Sequence, residues 1–480
     1  MSMDPQPLNW LAAACGITLD PSTGTTMVRR VVTDSRVAGP GDLFVALRGE
    51  RFDGHDFLSD VAARGVAGVL FDAKRPAHLS KGVVALEVAD PRVAYGQLAG
   101  RYRRRFTLPV ICVGGSNGKT TTKELIAAVL APGFSTLKSE ASFNNDIGVP
   151  ATLLQMESHH GAAVLEAGTN HPGELAPLVR LIAPRIGVLT SFGREHLEFF
   201  GDLAGVVQEE GTLAEELPPG GTLVLDGDSP FTDGVAQRTQ PGVNVVRIGH
   251  GPQNHWRVHS VSQDWDGLTF RVDSVPHPDW SGVWRVPLPG EHSAQNATYA
   301  LAVAAELGIN PAAARTALAA FHPPKQRLAL TRVGELRILD DTYNANADSM
   351  LAALRTLSDL PCSGRRVAVL GDMGELGPMT ETAHVEVGQA SAQGMDALFA
   401  IGQWATATAA AAQSAGLGRA HAFASVESAL PALREYLQPG DTLLVKASRS
   451  ARLEQVIRSL QETATANPPV NASTAASVAA

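Results

Sequence analysis

LPVICVGGSNGKTTTKELIAAVL, residues 108–130, decides the reading of this chain. Val110 to Val113 is an unbroken apolar run, as expected of a buried parallel strand. Thr121 to Leu130 has helical composition, with a Thr-rich start suited to capping. Between them Gly114, Gly115, Ser116, Asn117, Gly118, Lys119 and Thr120 form a turn that can wrap its backbone around a polyphosphate. Glycines permit close approach and unusual dihedrals, and the amides and helix N-terminus then face the anion. Lys119 is expected to reach the β- and γ-phosphates, and the Thr120 hydroxyl to ligate Mg²⁺. Val113 stands where G-x-x-x-x-G-K-T requires its first glycine. A plain Gly-rich turn is the competing interpretation, and the order strand, G-K-T, helix weighs against it.

Working outward, the sequence falls into three sections. Residues 1 to about 106 hold short β-type runs such as DLFVAL and end in Arg101-Tyr102-Arg103-Arg104-Arg105, read as a solvated face near a domain boundary. Strand, turn and helix patterns then continue to about residue 320, where Pro323-Pro324 breaks the chain. A third section, 321–463, contains the buried-type strands RVAVLG, ALFAIG and DTLLVKAS. Residues 464–480, rich in Ala, Thr, Ser and Pro, read as a disordered tail. The fold class is α/β in three domains. A smaller N-terminal α/β domain (1–106) precedes a central P-loop ATPase-type parallel sheet (107–320) and a Rossmann-like C-terminal domain.

Bulk properties exclude several classes. With 480 residues, 44% hydrophobic and 18% charged, the chain has material for several soluble cores. A net charge of −9 gives no global field for nucleic acid. Three scattered cysteines argue against a disulfide scaffold or zinc site. No export signal or membrane-spanning run is expected, so a cytoplasmic location follows.

Two further strand ends carry candidate ligands. AAVLEAGTNHPGE places Glu166, a hard oxygen donor suited to Mg²⁺, at the end of an apolar run. RIGVLTSFGREHLEFFG places His196 just past another, where it can orient or complete a second metal shell. In open parallel sheets ligands bind beyond the carboxyl ends of the strands, so both residues are expected near the nucleotide.

In order, GGSNGKTTTKE, SFNNDIGVPATLL, LEAGTNHPGE, GEHSAQN, DDTYNANADSM and VLGDMGELG resemble the Mur ligase family over nearly the whole chain. The family's own shortened P-loop accounts for Val113. The resemblance implies ATP and Mg²⁺ as cofactors, an acyl-phosphate mechanism and a monomer. DDTYNAN followed by DSM implies UDP-N-acetylmuramoyl-tripeptide and D-alanyl-D-alanine as the partners. It places the UDP-muramoyl peptide on the N-terminal domain, at Ser35, Arg36, Arg48, Asp53 and His55. TDSR alone reads equally well as a capped loop. By the same resemblance Asn144 and Asn145 lie against the triphosphate, and Asn296 contacts adenine. Arg327 and Asp341 touch the nucleotide from the third domain, which acts as a closing lid. Asn344 and Asn346 lie near the reaction centre, with Lys119 and His196 as the other catalytic residues. Lys446 and Arg449 take the dipeptide carboxylate.

One departure stands out. Many Mur ligases carry a carbamylated lysine on the helix after the HLE motif, and here Glu210 occupies the corresponding place beside Glu209. Either Glu210 supplies metal-directed negative charge itself, or it is a solvated helix residue. A nucleotide-switch protein is the rival from another class; it is disfavoured because a guanine-reading N-K-x-D motif is absent.

Overall fold

The structure is a computed structural model that describes residues 2–20, 22–75, 79 and 82–466. The chain divides into two compact units. One comprises Met1–Ser191, Val207–His255 and Tyr299–Ala314; the other comprises Phe192–Val206, Trp256–Thr298 and Arg315–Ala480.

The first unit opens with a parallel four-stranded sheet, β1 (Val31–Val32), β2 (Leu43–Val45), β3 (Gly68–Asp72) and β4 (Val84–Val88), in sequential order. Phe44, Val69 and Phe71 pack there against Leu58 and Val61 of a short helix. Helix α1 (Pro91–Arg103) follows, capped by Asp90, whose carboxylate accepts from the N–H groups of Arg92 and Val93. The basic run at its end is a solvated face only in part, at Arg101, Arg104 and Arg105. Tyr102 and Arg103 are buried. Arg103 donates through Nε to Ile182 O at 2.9 Å and through Nη2 to Ala183 O at 3.1 Å. It thereby satisfies carbonyls that a helix C-terminus leaves without intrahelical partners. Burial lowers its pKa to about 10.

The central sheet of this unit is built from β5 (Val110–Gly114), α2 (Lys119–Leu130), β6 (Thr136–Lys138), β7 (Ala162–Glu166), α3 (Leu175–Ile182), β8 (Ile186–Leu189), α4 (Leu203–Glu210), β9 (Thr222–Asp226) and β10 (Asn244–Gly249). Its strands are parallel in the order β10-β9-β8-β5-β7-β6. From β5 the chain moves to one side through β6 and β7, then crosses to β8, β9 and β10 on the other. Reversal at β5 makes its carboxyl end the topological switch point, where α/β sheets bind ligands.

In the second unit β11 (Trp256–Asp264), β12 (Gly267–Ser274) and β13 (Gly282–Val286) make an antiparallel meander. Helices α5 (Glu291–Glu306) and α6 (Pro311–Ala319) follow in the chain, with Tyr299–Ala314 counted in the first unit. A six-stranded sheet then contains β14 (Ala329–Val333), β15 (Leu336–Asp341), β16 (Arg366–Gly371), β17 (Ala397–Ile401), β18 (Ala420–Phe423) and β19 (Thr442–Lys446). Their order is β14-β15-β19-β16-β17-β18, with only β14 antiparallel to its neighbour. Period-two alternation sends Ala368 and Leu370 to one core and Val367 and Val369 to the other. Helices α7 (Ala347–Asp359), α8 (Thr380–Ser391) and α9 (Ala405–Ser414) cover the first face. The second lies under α10 (Val426–Tyr436) and α11 (Glu454–Ala466). The expected tail is helical as far as Ala466, because Val456, Ile457 and Leu460 give α11 an apolar face to bury. Residues 467–480 lie outside the described residues. No helix among those described is long and apolar enough to cross a membrane.

Candidate active site

The loop after β5 takes its shape from two glycines. Gly115 has φ +107°, and a Cβ there would lie 2.6 Å from Thr190 Oγ1 and 2.8 Å from Thr190 N. Gly118 has φ +84° and begins α2 with no side-chain cap, so the expected threonine cap is absent. Four amides at the start of any α-helix lack intrahelical acceptors, and in α2 these belong to the G-K-T segment.

The end of β8 grips this loop. Ser116 N donates to Ser191 O at 2.9 Å and Asn117 N to Ser191 Oγ at 2.9 Å. Thr190 Oγ1 donates toward Gly114 O at 3.1 Å and Asn117 O at 2.6 Å. Tyr299 fixes Thr190 in turn, its hydroxyl donating to Thr190 O at 2.9 Å. Lys119 folds over the loop, with Nζ 2.5 Å from Gly115 O and 3.2 Å from Ser116 O.

A second cluster lies at the ends of β5 and β7, where Val113 pairs with Glu166. Glu166 is 1% exposed. Its Oε2 accepts from Thr120 Oγ1 at 2.9 Å and its Oε1 from Asn144 Nδ2 at 2.8 Å. Lys123 is fully buried beside them, one turn beyond Thr120 on α2. Its Nζ donates to Ser139 O at 2.7 Å and to Ala141 O, and lies 4.0 Å from Glu166 Oε2. Asn145 has a different task from Asn144. Its Oδ1 accepts from Gly148 N at 2.9 Å and Ile147 N at 3.2 Å, stabilising the following helical turn. Neither Lys123 nor the Thr190–Ser191 clasp was singled out from sequence. The available signal for Lys123 was its i+3 spacing from Thr120, which puts both on one helix face.

Glu210 is not a solvated helix residue. It is 1% exposed, and its Oε2 accepts from Gly115 N at 2.7 Å. Among the described residues no group of three or more His, Cys, Asp or Glu side chains is placed to hold a metal ion. Thr120 and Glu166 do present two hard oxygen donors at one spot, and Mg²⁺ normally takes one or two carboxylates with substrate phosphates and water. These donors fit that ion.

On the N-terminal domain, Arg36 and Arg48 are exposed and Ser35 half-buried. Arg36 bonds Asp34 through Nη2 at 2.6 Å, and these bonds hold the Asp34 carboxyl down at about 2. Asp53 and His55 are instead committed within the protein. His55 Nδ1 lies 2.6 Å from Asp53 Oδ1, and His55 Nε2 accepts from Asp72 N at 3.0 Å. Asp53 also takes Arg75 Nη1 at 2.8 Å. Asp53 also caps the short 3₁₀ turn that follows it, accepting from His55 N at 3.0 Å.

In the second unit, His196 has left-handed backbone (φ 49°), and its Nδ1 lies 2.6 Å from Glu375 Oε2 in the GELG turn. Nearby, Arg194 pairs with Asp348 and Glu386 at 2.6 Å each. Lys446, expected at the dipeptide carboxylate, is buried and ion-paired with Asp341 Oδ2 at 2.5 Å. It also donates to Asn344 O at 2.9 Å, and burial lowers its pKa against the opposing pull of Asp341. A buried ammonium needs such partners, so it supports the DDTYNAN segment from within. Asp341 Oδ1 accepts from Leu328 N at 3.1 Å, and Arg327 stacks 3.9 Å over the Tyr343 ring. Asn344 is exposed. Asn346 differs: it caps α7 by accepting from Ser349 N at 2.9 Å. Asn296 is buried on α5, and the exposed Arg449 bonds Glu454 at 3.2 Å.

Fold and site together define a P-loop nucleotide enzyme assembled from α/β domains. Three family descriptions match in order: the Mur ligase family catalytic domain over residues 28–103, the Mur ligase middle domain over 113–304, and the Mur ligase glutamate ligase domain over 326–449. The chain is 38% identical to the UDP-N-acetylmuramoyl-tripeptide–D-alanyl-D-alanine ligase of Escherichia coli (strain K12), over 91% of this chain and 94% of that protein. It is 34% identical to the enzyme of the same name from Bacillus subtilis (strain 168), over 93% and 96%. Among solved structures, MurF from Acinetobacter baumannii superposes with a TM-score of 0.87 at 31% identity, covering 96% of this chain and all of that one. The chain belongs to the Mur ligase family, and its fold is the three-domain Mur ligase fold.

Proposed function

We propose that this chain is the ATP-dependent ligase that joins D-alanyl-D-alanine to UDP-N-acetylmuramoyl-tripeptide through an acyl phosphate, a step of peptidoglycan precursor synthesis. That step serves cell shape and division, and the enzyme works as a cytoplasmic monomer without nucleic acid. The observation that carries the reading is the junction of Thr120 Oγ1 with Glu166 Oε2, 2.9 Å apart beside a G-K-T loop at the sheet's switch point. The relatives' shared substrate names supply the substrates.

A carboxylate resists amines in water because oxide would have to leave. Phosphorylation removes that obstacle. A carboxylate oxygen of the tripeptide attacks the ATP γ-phosphorus, a new O–P bond forms, and the bond to the β-phosphate oxygen breaks to release ADP. The dipeptide amine nitrogen then attacks the acyl carbon, and the C–O bond breaks with phosphate taking the electron pair. The amine gives its surplus proton to solvent. No side-chain nucleophile is needed, so positioning and charge neutralisation dominate. The amides of Gly118 to Thr121 at the start of α2 and the Lys119 ammonium bind the phosphates, on a loop whose Gly115, Ser116 and Asn117 amides are held by Glu210 and Ser191. Thr120 and Glu166 would hold Mg²⁺, which when bound would neutralise phosphate charge; His196 is assigned to catalysis through the family likeness. Asn144 sets Glu166, while Arg327, Asp341 and Asn296 bind the nucleotide. Asn344, whose side chain is exposed, is assigned to the substrate, while Asn346 and Lys446 hold that loop in shape. Ser35, Arg36 and Arg48 take the UDP-muramoyl end. Residues 1–106, 107–320 and 321–463 are the corresponding functional domains.

The test is phosphate release from ATP with each muramoyl peptide, with and without D-alanyl-D-alanine. Release that requires both supports the proposal. Acceptor-independent release would make the chain a nucleotide switch instead.

A further inference from the structure

Two adjacent carboxylates at the end of α4 have partners that the reaction scheme leaves unused. Successive residues on a helix diverge by about 100°, so Glu209 and Glu210 point to different places. Glu210 Oε2 accepts from Gly115 N at 2.7 Å in the G-K-T loop. Gly114 admits this approach, since a Cβ there would lie 3.1 Å from the same oxygen. Glu209 reaches the loop that follows Glu166. Its Oε2 accepts from Gly173 N at 2.8 Å, and its Oε1 from Leu175 N at 2.8 Å and from Thr169 Oγ1 at 3.4 Å. Both are buried, at 8% and 1% exposure. The helix end that carries them is itself fixed: Arg238 donates to Val207 O at 3.1 Å and Gln208 O at 2.8 Å, and pairs with Glu215 at 2.8 Å.

We infer that Glu209 and Glu210 are positioning residues, a two-pronged clamp that sets the register of the phosphate loop against the loop following Glu166. The clamp rests on reading Gly114 to Thr121 as the ATP phosphate cradle. A carboxylate beneath that cradle repels phosphate, yet a loop whose Gly115, Ser116 and Asn117 amides are already engaged presents those of Gly118 to Thr121 in one fixed conformation. Preorganisation of this kind raises turnover, because the donors need not reorganise as charge develops. Glu210 therefore contributes through its hydrogen-bond acceptor at Gly115, and metal-directed charge is not its task.

Substitution separates these roles. Glu210→Gln keeps an oxygen for Gly115 N–H and removes the charge; Glu210→Leu removes both. In the ATP-free protein with ¹⁵N-glycine, the leucine variant is expected to exchange its Gly115 amide proton on the order of tenfold faster or more, as loss of one buried hydrogen bond implies. Its kcat is expected to fall on the order of 10²-fold, with KM for the muramoyl peptide unchanged within about threefold. Glu210→Gln restores kcat to within about tenfold of native at an unaltered Mg²⁺ requirement. Glu209→Leu should speed exchange at Gly173 and leave Gly115 protected. If glutamine is as inactive as leucine and its Mg²⁺ requirement rises, Glu210 is a source of metal charge and the clamp is wrong. Native-like Gly115 exchange in the leucine variant also overturns it. Failure of the native enzyme to bind ATP would instead strike the reading of the cradle.

Discussion

Replacing Lys123 with methionine should destabilise the central domain heavily, even though the side chain touches no substrate. The ammonium is fully buried, donates to the carbonyls of Ser139 and Ala141, and lies 3.1 Å from Glu124 and 4.0 Å from Glu166. Methionine matches its length and leaves two carbonyls without a donor, at about 1–3 kcal/mol each when buried. It also removes a cation that lies 4.0 Å from the buried Glu166, and breaking a buried ion pair costs about 3–5 kcal/mol. These contributions overlap, so about 4 kcal/mol is the expected total. At about 2–4 °C per kcal/mol for a domain of this size, Tm should fall by about 10 °C. Circular dichroism melting of Lys123→Met beside Lys123→Arg provides the comparison, and ATP affinity should fall as the 139–145 segment loosens its hold on Glu166 through Asn144. A Tm within about 1 °C of native would refute the assignment of Lys123 as the cation that holds this corner together.

Other residues give distinct outcomes. Lys119→Ala should leave the melting curve unchanged while lowering kcat on the order of 10³-fold, measured by coupled ADP release at saturating ATP. Asn346→Ala, which removes the cap of α7, should cost about 1 kcal/mol of stability in urea titration, whereas Asn344→Ala should cost activity and almost no stability. Arg103→Leu strands the carbonyls of Ile182 and Ala183 and should lower Tm by several degrees, read by calorimetry, in contrast to Arg104→Leu. Small-angle scattering should show a smaller radius of gyration with a non-hydrolysable ATP analogue plus UDP-muramoyl peptide than without them.

The phosphate loop was legible because its signals are local. An apolar run, two glycines and G-K-T fix a strand, a turn and a helix within 23 residues, and the α/β architecture follows from repeating that pattern. Glu166 was legible for the same reason, since it ends an apolar run. What stayed hidden depends on partners far along the chain. Arg103 looks like one of four surface arginines until the end of α3 is placed against it. Lys446 looks like a free cation until β15 and β19 pair in register and bring Asp341 alongside. Asp53 and Asn346 cap the turns that follow them and His55 bonds Asp53, partnerships that the residue types alone do not announce. Glu210 illustrates the limit most sharply: its place in the sequence suggested metal charge, while one of its carboxylate oxygens accepts from a glycine amide 95 residues upstream.

The central claim is that the tripeptide carboxylate is phosphorylated before the amide forms. Tripeptide substrate labelled with ¹⁸O in its terminal carboxylate, turned over with ATP and D-alanyl-D-alanine, tests it directly by mass spectrometry of the released phosphate. One ¹⁸O atom per phosphate is the predicted result, since the C–O bond of the acyl phosphate must break. Unlabelled phosphate accompanying full amide formation would contradict the account.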